Sequence, residues 1–421
     1  LFLLPVNQAR NVVLDVFEVD GGSTHEWMAQ GSCMVQGDLA VSLPTASVAE
    51  SYADDGAPFT PPASSAYMKQ RREKGLNAWW LSPDEKDPWY GVFRDVCKGR
   101  LQGRLAANFT YDSPGAPQLH LRMLQPLDAT VYTCTVPSLR RTWSPTARRE
   151  VHERVEQFRM PKLIVRREGM DLTTRFVALW EPSAGLGRAS VVRDLAPNSQ
   201  DVVAVEIRTG TTAKDQVIRA FHCPSPDRRV SLPGGIEMTG RYAVLSEGPT
   251  GMSITLYGVD SFVAPQCVVT LPDPPELPLL SLAPDENGGY NVVLEGTWPG
   301  CAASSPAEHG CVEHVLLTQD TAHHRAFPVD RLEEGHGKTF LHCPRHPGFS
   351  YDLNSKTLKE LFLPFNTTKG KALVRRQRRV VLRSSKTKPE QWHVQTSSRC
   401  RVNGTDVAPT PMGTETAVPK L

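Results

Sequence analysis

The sequence predicts an all-β protein, an antiparallel multi-strand β-sandwich with few short helices. Three observations predict it. Apolar and polar residues alternate with period two along many short segments, the pattern of strands with one buried face. Thirty-five prolines and 31 glycines punctuate the 421 residues and favour turns over long helices. Helical periodicity is scarce.

In chain order, Leu1-Phe2-Leu3-Leu4-Pro5-Val6 is apolar but short. It has no basic flank and no small-residue cleavage site, so it reads as a strand rather than a signal peptide, in a chain that opens partway through a longer protein. Residues 12–19 are a strand closed by Gly21-Gly22. Residues 44–65, rich in Ser, Ala, Asp and Pro, are expected to be a loop. Leu119, Leu121 and Met123 alternate with His120 and Arg122, and residues 163–166 and 173–180 are further strands. Helices are expected over 67–74 and over 146–158, the second led by Pro145. Val203, Val205 and Ile207, then Met252, Ile254 and Leu256, repeat the alternation on either side of the turn residues Pro233-Gly234-Gly235. Strands are also expected over 242–246, 290–295, 312–317 and 372–382.

Residues 271–284 hold Pro272, Pro274, Pro275, Pro278 and Pro284. Proline resists both helix and central strand, so the domain boundary is expected there. Residues 1–270 then form the sandwich. Residues 271–402 continue it or make a smaller β module, and residues 403–421, rich in Thr, Pro and Gly, form a disordered tail.

Composition narrows the function. Lys plus Arg is 47 against 45 Asp plus Glu, a net charge of +2, so polyanion binding requires a local patch. Mean hydropathy is −0.33 and no run of eighteen apolar residues occurs, which excludes a transmembrane helix. None of the nine cysteines forms a CxxC pair, and no zinc spacing appears. Cys301 and Cys311 flank a short polar loop and suit either a disulfide or buried free thiols. Asn108-Phe109-Thr110, Asn366-Thr367-Thr368 and Asn403-Gly404-Thr405 are glycosylation acceptors in a secreted eukaryotic chain. Phosphate-loop, dinucleotide and Ser-His-Asp patterns are absent from the sequence.

Two segments carry candidate chemistry. After the strand over 12–19, the Gly-Gly turn presents His25, Glu26 and Trp27 at a sheet rim. His25 beside Glu26 suits an acid/base pair and Trp27 suits stacking on a sugar. The competing reading is a turn whose polar residues satisfy buried backbone. The second segment is basic. Val374-Arg375-Arg376-Gln377-Arg378-Arg379-Val380 places Arg376 and Arg378 on one strand face, Arg375 and Arg379 on the other. Both faces cannot be buried, so an edge strand or exposed loop is expected. It binds sulfate and carboxylate groups through Arg forks, or it guards a sheet edge against pairing. Nucleic acid is disfavoured, because no aromatic interleaves the run.

The segment Asp15-Val16-Phe17-Glu18-Val19-Asp20-Gly21-Gly22-Ser23-Thr24-His25-Glu26-Trp27 resembles the Asp-Val-Phe…Gly-Gly…His-Asp-Tyr/Trp segment of heparinase II/III-like polysaccharide lyases. Gln118-Leu119-His120-Leu121-Arg122-Met123-Leu124, followed by Ala129-Thr130-Val131-Tyr132, resembles that family's next paired strands. Met160-Pro161-Lys162-Leu163-Ile164-Val165-Arg166-Arg167-Glu168-Gly169 with Thr174-Arg175-Phe176-Val177-Ala178-Leu179-Trp180-Glu181-Pro182 resembles its characteristic hairpin. The resemblance is strong to about Pro182 and looser beyond. It implies a C-terminal antiparallel sandwich joined to an α/α toroid, and cleavage of uronic-acid polysaccharide by β-elimination. That chemistry needs a neutralised uronate carboxylate, a Tyr or His base at C5 and an acid at the leaving O4.

In the family those groups, and any divalent-metal site, precede the Asp-Val-Phe motif. The resemblance therefore transfers no catalytic residue, metal ligand or cofactor onto this chain, and the chain alone is expected to be inactive. Trp27, Arg375, Arg376, Arg378 and Arg379 are the expected contacts to acidic polysaccharide. The resemblance, with the glycosylation triplets, implies a secreted protein, extracellular or periplasmic. Gln30 stands where the family often has His, and Glu26 replaces Asp. Epimerases share the architecture. A non-catalytic carbohydrate-binding or structural sandwich is the competing reading.

Overall fold

Apolar residues at every second position, many of them β-branched or aromatic, favour a pleated half-buried surface over a helix. The computed structural model describes residues 2–7, 10–55, 93–113, 115, 117–138, 143–144, 149–150, 158–184, 191–209, 216–272, 276–286, 288–298, 313–318, 324–360, 367–376, 378–397, 399–408, 410 and 414–421. Among them the protein is all-β and its sheets are antiparallel, with one 3₁₀ turn at Tyr52–Asp55. No helix among the described residues is long and apolar enough to cross a membrane.

The chain divides into two compact units, Leu1–Ser190 and Val191–Leu421. The first carries β1 (Phe2–Asn7), β2 (Arg10–Asp20), β3 (Thr24–Gln30), β4 (Gly37–Val41), β5 (Ala46–Ser51), β6 (Arg94–Gln102) and β7 (Leu105–Tyr111). It continues with β8 (Pro117–Gln125), β9 (Asp128–Pro137), β10 (Trp143–Ser144), β11 (Arg149–Glu150), β12 (Arg159–Glu168) and β13 (Thr173–Ala184). One sheet has the order β1-β2-β13-β8-β7-β4 and the other β3-β12-β9-β6-β5. Four successive pairs, β2/β3, β6/β7, β8/β9 and β12/β13, each cross from one sheet to the other. Both sheets feed one core that includes Trp27, Phe109, Met123, Val131, Leu163 and Phe176. The five-stranded sheet carries a second apolar cluster on its other face, with Tyr52, Tyr132, Cys134, Met160 and Ile164.

The second unit carries β14 (Val191–Asp194), β15 (Val203–Arg208), β16 (Val217–His222), β17 (Arg229–Leu232), β18 (Ile236–Gly248), β19 (Gly251–Ala264) and β20 (Cys267–Thr270). Next come β21 (Leu277–Pro284), β22 (Tyr290–Glu295), β23 (Glu313–Thr318), β24 (His324–Val329), β25 (Arg331–Gly335) and β26 (Lys338–Cys343). Then follow β27 (Phe349–Asp352), β28 (Thr357–Glu360), β29 (Thr367–Lys369), β30 (Leu373–Arg376) and β31 (Arg379–Ser385). The last are β32 (Lys388–Thr396), β33 (Cys400–Val402), β34 (Thr405–Val407) and β35 (Thr416–Pro419). A branched twelve-stranded sheet runs β14-β15-β16-β18-β19-β20-β33-β34, with β17, β31, β32 and β35 attached. A seven-stranded sheet has the order β24-β23-β30-β21-β22-β26-β25, and β27-β28-β29 form a third.

Four local expectations change. The division into compact units falls after Ser190 rather than at the proline-rich stretch, but a separate sheet with its own core, from Leu277 to Val374, begins there with β21. Pro278 is accommodated beside a register shift between Leu279 and Ser281, and Pro284 as the last residue of the strand. Of the loop expected over 44–65, Ala46–Ser51 is a strand paired with β6, anchored by the fully buried Tyr52, and the rest past Asp55 lies outside the described residues. The helix expected over 67–74 also lies outside them. Of the one over 146–158, Arg149–Glu150 is a strand paired with Trp143–Ser144.

The tail from 403 is ordered at β34 and β35 rather than disordered. Asn403 Oδ1 accepts from Val268 N (2.8 Å), Asn403 Nδ2 donates to the Pro419 carbonyl (2.8 Å), and Val418 is fully buried. A Thr/Pro-rich segment thus orders once one apolar anchor and a few backbone bonds offset its entropy.

Candidate functional site

Gly21 and Gly22 take φ of +81° and +87°, a conformation cheap only for glycine, and turn β2 into β3. The strand that follows separates His25 from Glu26, since neighbouring residues point to opposite faces. His25 points inward and is 3 % exposed. Its Nε2–H donates to the Gly21 carbonyl (2.6 Å), which leaves Nδ1 to accept from the Thr174 hydroxyl (2.9 Å). Both ring nitrogens are therefore spent, one on the turn and one on β13, and the expected His25–Glu26 acid/base pair does not form. Trp27 lies in the core beside Trp180, with ring centroids 5.7 Å apart, and its Nε1 donates to Asp15 Oδ2 (3.1 Å). At 6 % exposed it has no free face for a sugar.

Glu26 points to the other face and meets Arg166 of β12, whose Nε donates to Glu26 Oε1 (2.9 Å). Their side chains are 8 % and 3 % exposed. The Tyr52 hydroxyl donates to Glu26 and accepts from Arg166 Nη2, while Nη1 donates to the Tyr132 hydroxyl (3.2 Å). The guanidinium also lies over both phenol rings, 4.9 Å and 4.8 Å from their centroids. Burial, and after it the Glu26 charge, pushes the Tyr52 phenol far above its ordinary value. Burial opposes the Arg166 charge, but the Tyr52 and Glu26 oxygens more than offset it. The Tyr52 hydroxyl is committed between Glu26 and Arg166. The network ties β3, β9, β12 and the turn after β5 together. Sequence reasoning missed Arg166, Tyr52 and Tyr132, because nothing local links residues so far apart.

The basic run is divided between sheets. Arg375 and Arg376 lie in β30, paired with β23, and Arg379 opens β31, held between β19 and β32. The run is therefore no edge strand. Arg378 is 5 % exposed, pairs with Asp260, and donates through Nη1 to the Leu271 carbonyl (3.2 Å), so it is unavailable to a polyanion. Arg375 is half-buried. The Arg376 side chain lies outside what the structure describes. Arg379 ends a cross-strand row of His222, Tyr242 and Tyr257, each paired with the next on β16, β18, β19 and β31. His222 and Tyr242 have ring centroids 5.1 Å apart, and the Arg379 guanidinium lies 5.7 Å from the Tyr257 ring.

Seven cysteines are described, all free; Cys301 and Cys311 lie outside the described residues. Among the described residues no group of three or more His, Cys, Asp or Glu is placed to hold a metal ion. Asn108 is half-buried on the interior strand β7 and Asn403 is committed to the backbone bonds given above, while Asn366 lies outside the described residues. Comparison of the chain with protein-family models and with curated proteins finds no match.

Proposed function

We propose that this chain is the C-terminal β-sandwich part of a heparinase II/III-like polysaccharide lyase. Its parent cleaves uronic-acid-containing polysaccharide by β-elimination, with the catalytic toroid preceding the sandwich. One observation carries the reading. Three consecutive residues of the first family-like segment each meet a residue of the third: His25 meets Thr174, Glu26 meets Arg166 and Trp27 meets Trp180. The motif residues thus work as one another's structural partners, which is what a supporting sandwich requires of them. The setting implied is secreted, and it rests on the resemblance, because the described sequons at Asn108 and Asn403 are built into strands and turns.

A second reading, a carbohydrate-binding or structural sandwich without turnover, is favoured by the commitment of both His25 nitrogens and the Tyr52 phenol to the fold. Absorbance of new unsaturated uronate ends separates the two. Acidic polysaccharides are mixed with this chain alone and with the upstream-extended protein. Signal from the extended protein only is the expected result. Signal from this chain alone overturns the placement of catalysis upstream and makes His25 the first residue to mutate. Silence from both leaves the binding or structural reading.

A further inference from the structure

His342 of β26 meets two carboxylates at once. Its Nδ1 lies 2.5 Å from Asp330 Oδ1, and its Nε2 contacts Asp285 Oδ2. An ionised carboxylate only accepts, so both contacts are hydrogen bonds only when both ring nitrogens carry protons. The ring in this arrangement is the imidazolium. It joins two connections of the seven-stranded sheet. Asp285 closes the turn from β21 to β22, where its Oδ1 accepts from Gly289 N (2.8 Å) and its own N donates to the Gly289 carbonyl (2.9 Å). Asp330 is the single residue between β24 and β25, and its N donates to the His342 carbonyl (3.0 Å). β24 and β25 are the two ends of the strand order, so this one residue links the sheet's edges. Across the ladder His342 is paired with the neutral Asn291 on β22 and with Arg331 on β25, whose Nε lies 3.3 Å from Glu333. His346 rests edge-on against Tyr290.

We propose that His342 is a protonation-gated clamp: charged, it holds both connections, and neutral, it keeps Asp285 and lets the Asp330 corner go. A neutral imidazole has one N–H to give. Asp285 keeps it. Its side chain is 10 % exposed and already held by the turn, and a Cβ on Gly289 would lie 2.8 Å from both Asp285 Oδ2 and His342 Nε2, so backbone closes tightly over that pair. Asp330 is 33 % exposed and turns to water. A bare Nδ1 lone pair repels its carboxylate, and water solvates that ion better. Among the described strands β25 pairs with β26 alone, so loosening at Asp330 frees one sheet edge and leaves the rest in place. The Asp330 hydrogen bond first, with burial opposing and Asp285 adding, holds the ring's pKa above the ordinary 6.5. The clamp is therefore shut in mild acid and opens as pH rises through the folded value. It stands apart from the polysaccharide reading above.

Amide hydrogen exchange on the full chain, converted to protection factors, tests it between about pH 6 and about pH 9. Protection over 329–335 is expected to fall about tenfold across that range, the loss of one hydrogen bond to a charged group, while protection over 288–292 holds. Nitrogen NMR shifts of His342 should show two protonated ring nitrogens at the acid end and a proton on Nε2 alone at the alkaline end. Asp330→Asn should abolish the pH step, because an amide accepts from the imidazolium and donates to the neutral ring. His342→Gln should leave 329–335 equally weakly protected at both ends. Circular dichroism checks the fold of both variants, and the wild-type titration and shifts decide without them. Equal loss over both segments overturns the proposal. So do constant protection over 329–335, a neutral ring at about pH 6, a proton kept on Nδ1, or a pH step that survives in Asp330→Asn.

Discussion

Residues 25–27 lie on one strand and divide between its two faces, whereas residues 375–379 straddle two strands of different sheets. In the first region, alternation sends His25 and Trp27 into the core and Glu26 to a buried ion pair, and every polar atom named there finds a partner. In the second, a dense cationic run becomes spread out. Arg378 is sealed behind Asp260, and Arg379 heads an aromatic row. Density of charge along the chain is therefore a poor guide to density in space. Alternation and a change of sheet disperse it. A sparse polar triplet, by contrast, gathers Arg166 and two tyrosines from distant segments.

The sharpest way to break this contrast is Arg166→Ala. It leaves Glu26 buried beside two phenols with no cation, and should cost about 3–5 kcal/mol in urea unfolding of the first unit. Arg378→Ala should cost less, about 1–3 kcal/mol and in the second unit, because its partner Asp260 is 40 % exposed and water replaces the lost donor there. Equal losses would mean that the two regions are built alike.

A third test uses pH. His342 lies between Asp330 (Nδ1 to Oδ1, 2.5 Å) and Asp285, and its pKa is raised above the ordinary 6.5, first by the Asp330 hydrogen bond, with burial opposing and Asp285 adding. A raised folded-state pKa stabilises fully below about pH 6.5, the unfolded value, and that contribution fades as pH climbs through the folded value. The Tm gap between the wild type and His342→Gln should therefore be widest in mild acid and narrow toward alkaline pH. A gap independent of pH would assign the pair a purely steric role. The smallest effect is expected from Asp406→Asn. Arg401 and Asp406 make a two-point pair, at 2.8 Å and 3.1 Å, but both are well exposed, so Tm should not move measurably.

Much of the fold is legible in the sequence where causes are local. Tyr290–Glu295 is a strand over the span that alternation predicts, and Gly21-Gly22 turns the chain where the paired glycines stand. The strand expected over 372–382 breaks in two between Arg376 and Arg379, because its halves pair with different neighbours, which no local pattern encodes. The ordered tail is missed for the same reason. Val418 and Asn403 find their burial and their bonds on strands far along the chain. In the candidate site, the residue types of His25, Glu26 and Trp27 announce polarity and aromaticity but not direction.

The sequence by itself determined that this protein is all-β, where many of its strands and turns fall, and how alternate residues divide between faces. These follow from sterics and hydrophobic period within a few residues. Only the tertiary structure decided which face met a core and which met a charge. It closed Arg166 over Glu26, buried Arg378 and split the chain after Ser190 rather than at the prolines. The physical reason is that burial and ion pairing depend on partners a hundred or more residues away, and a chain read in order does not show who its neighbours will be.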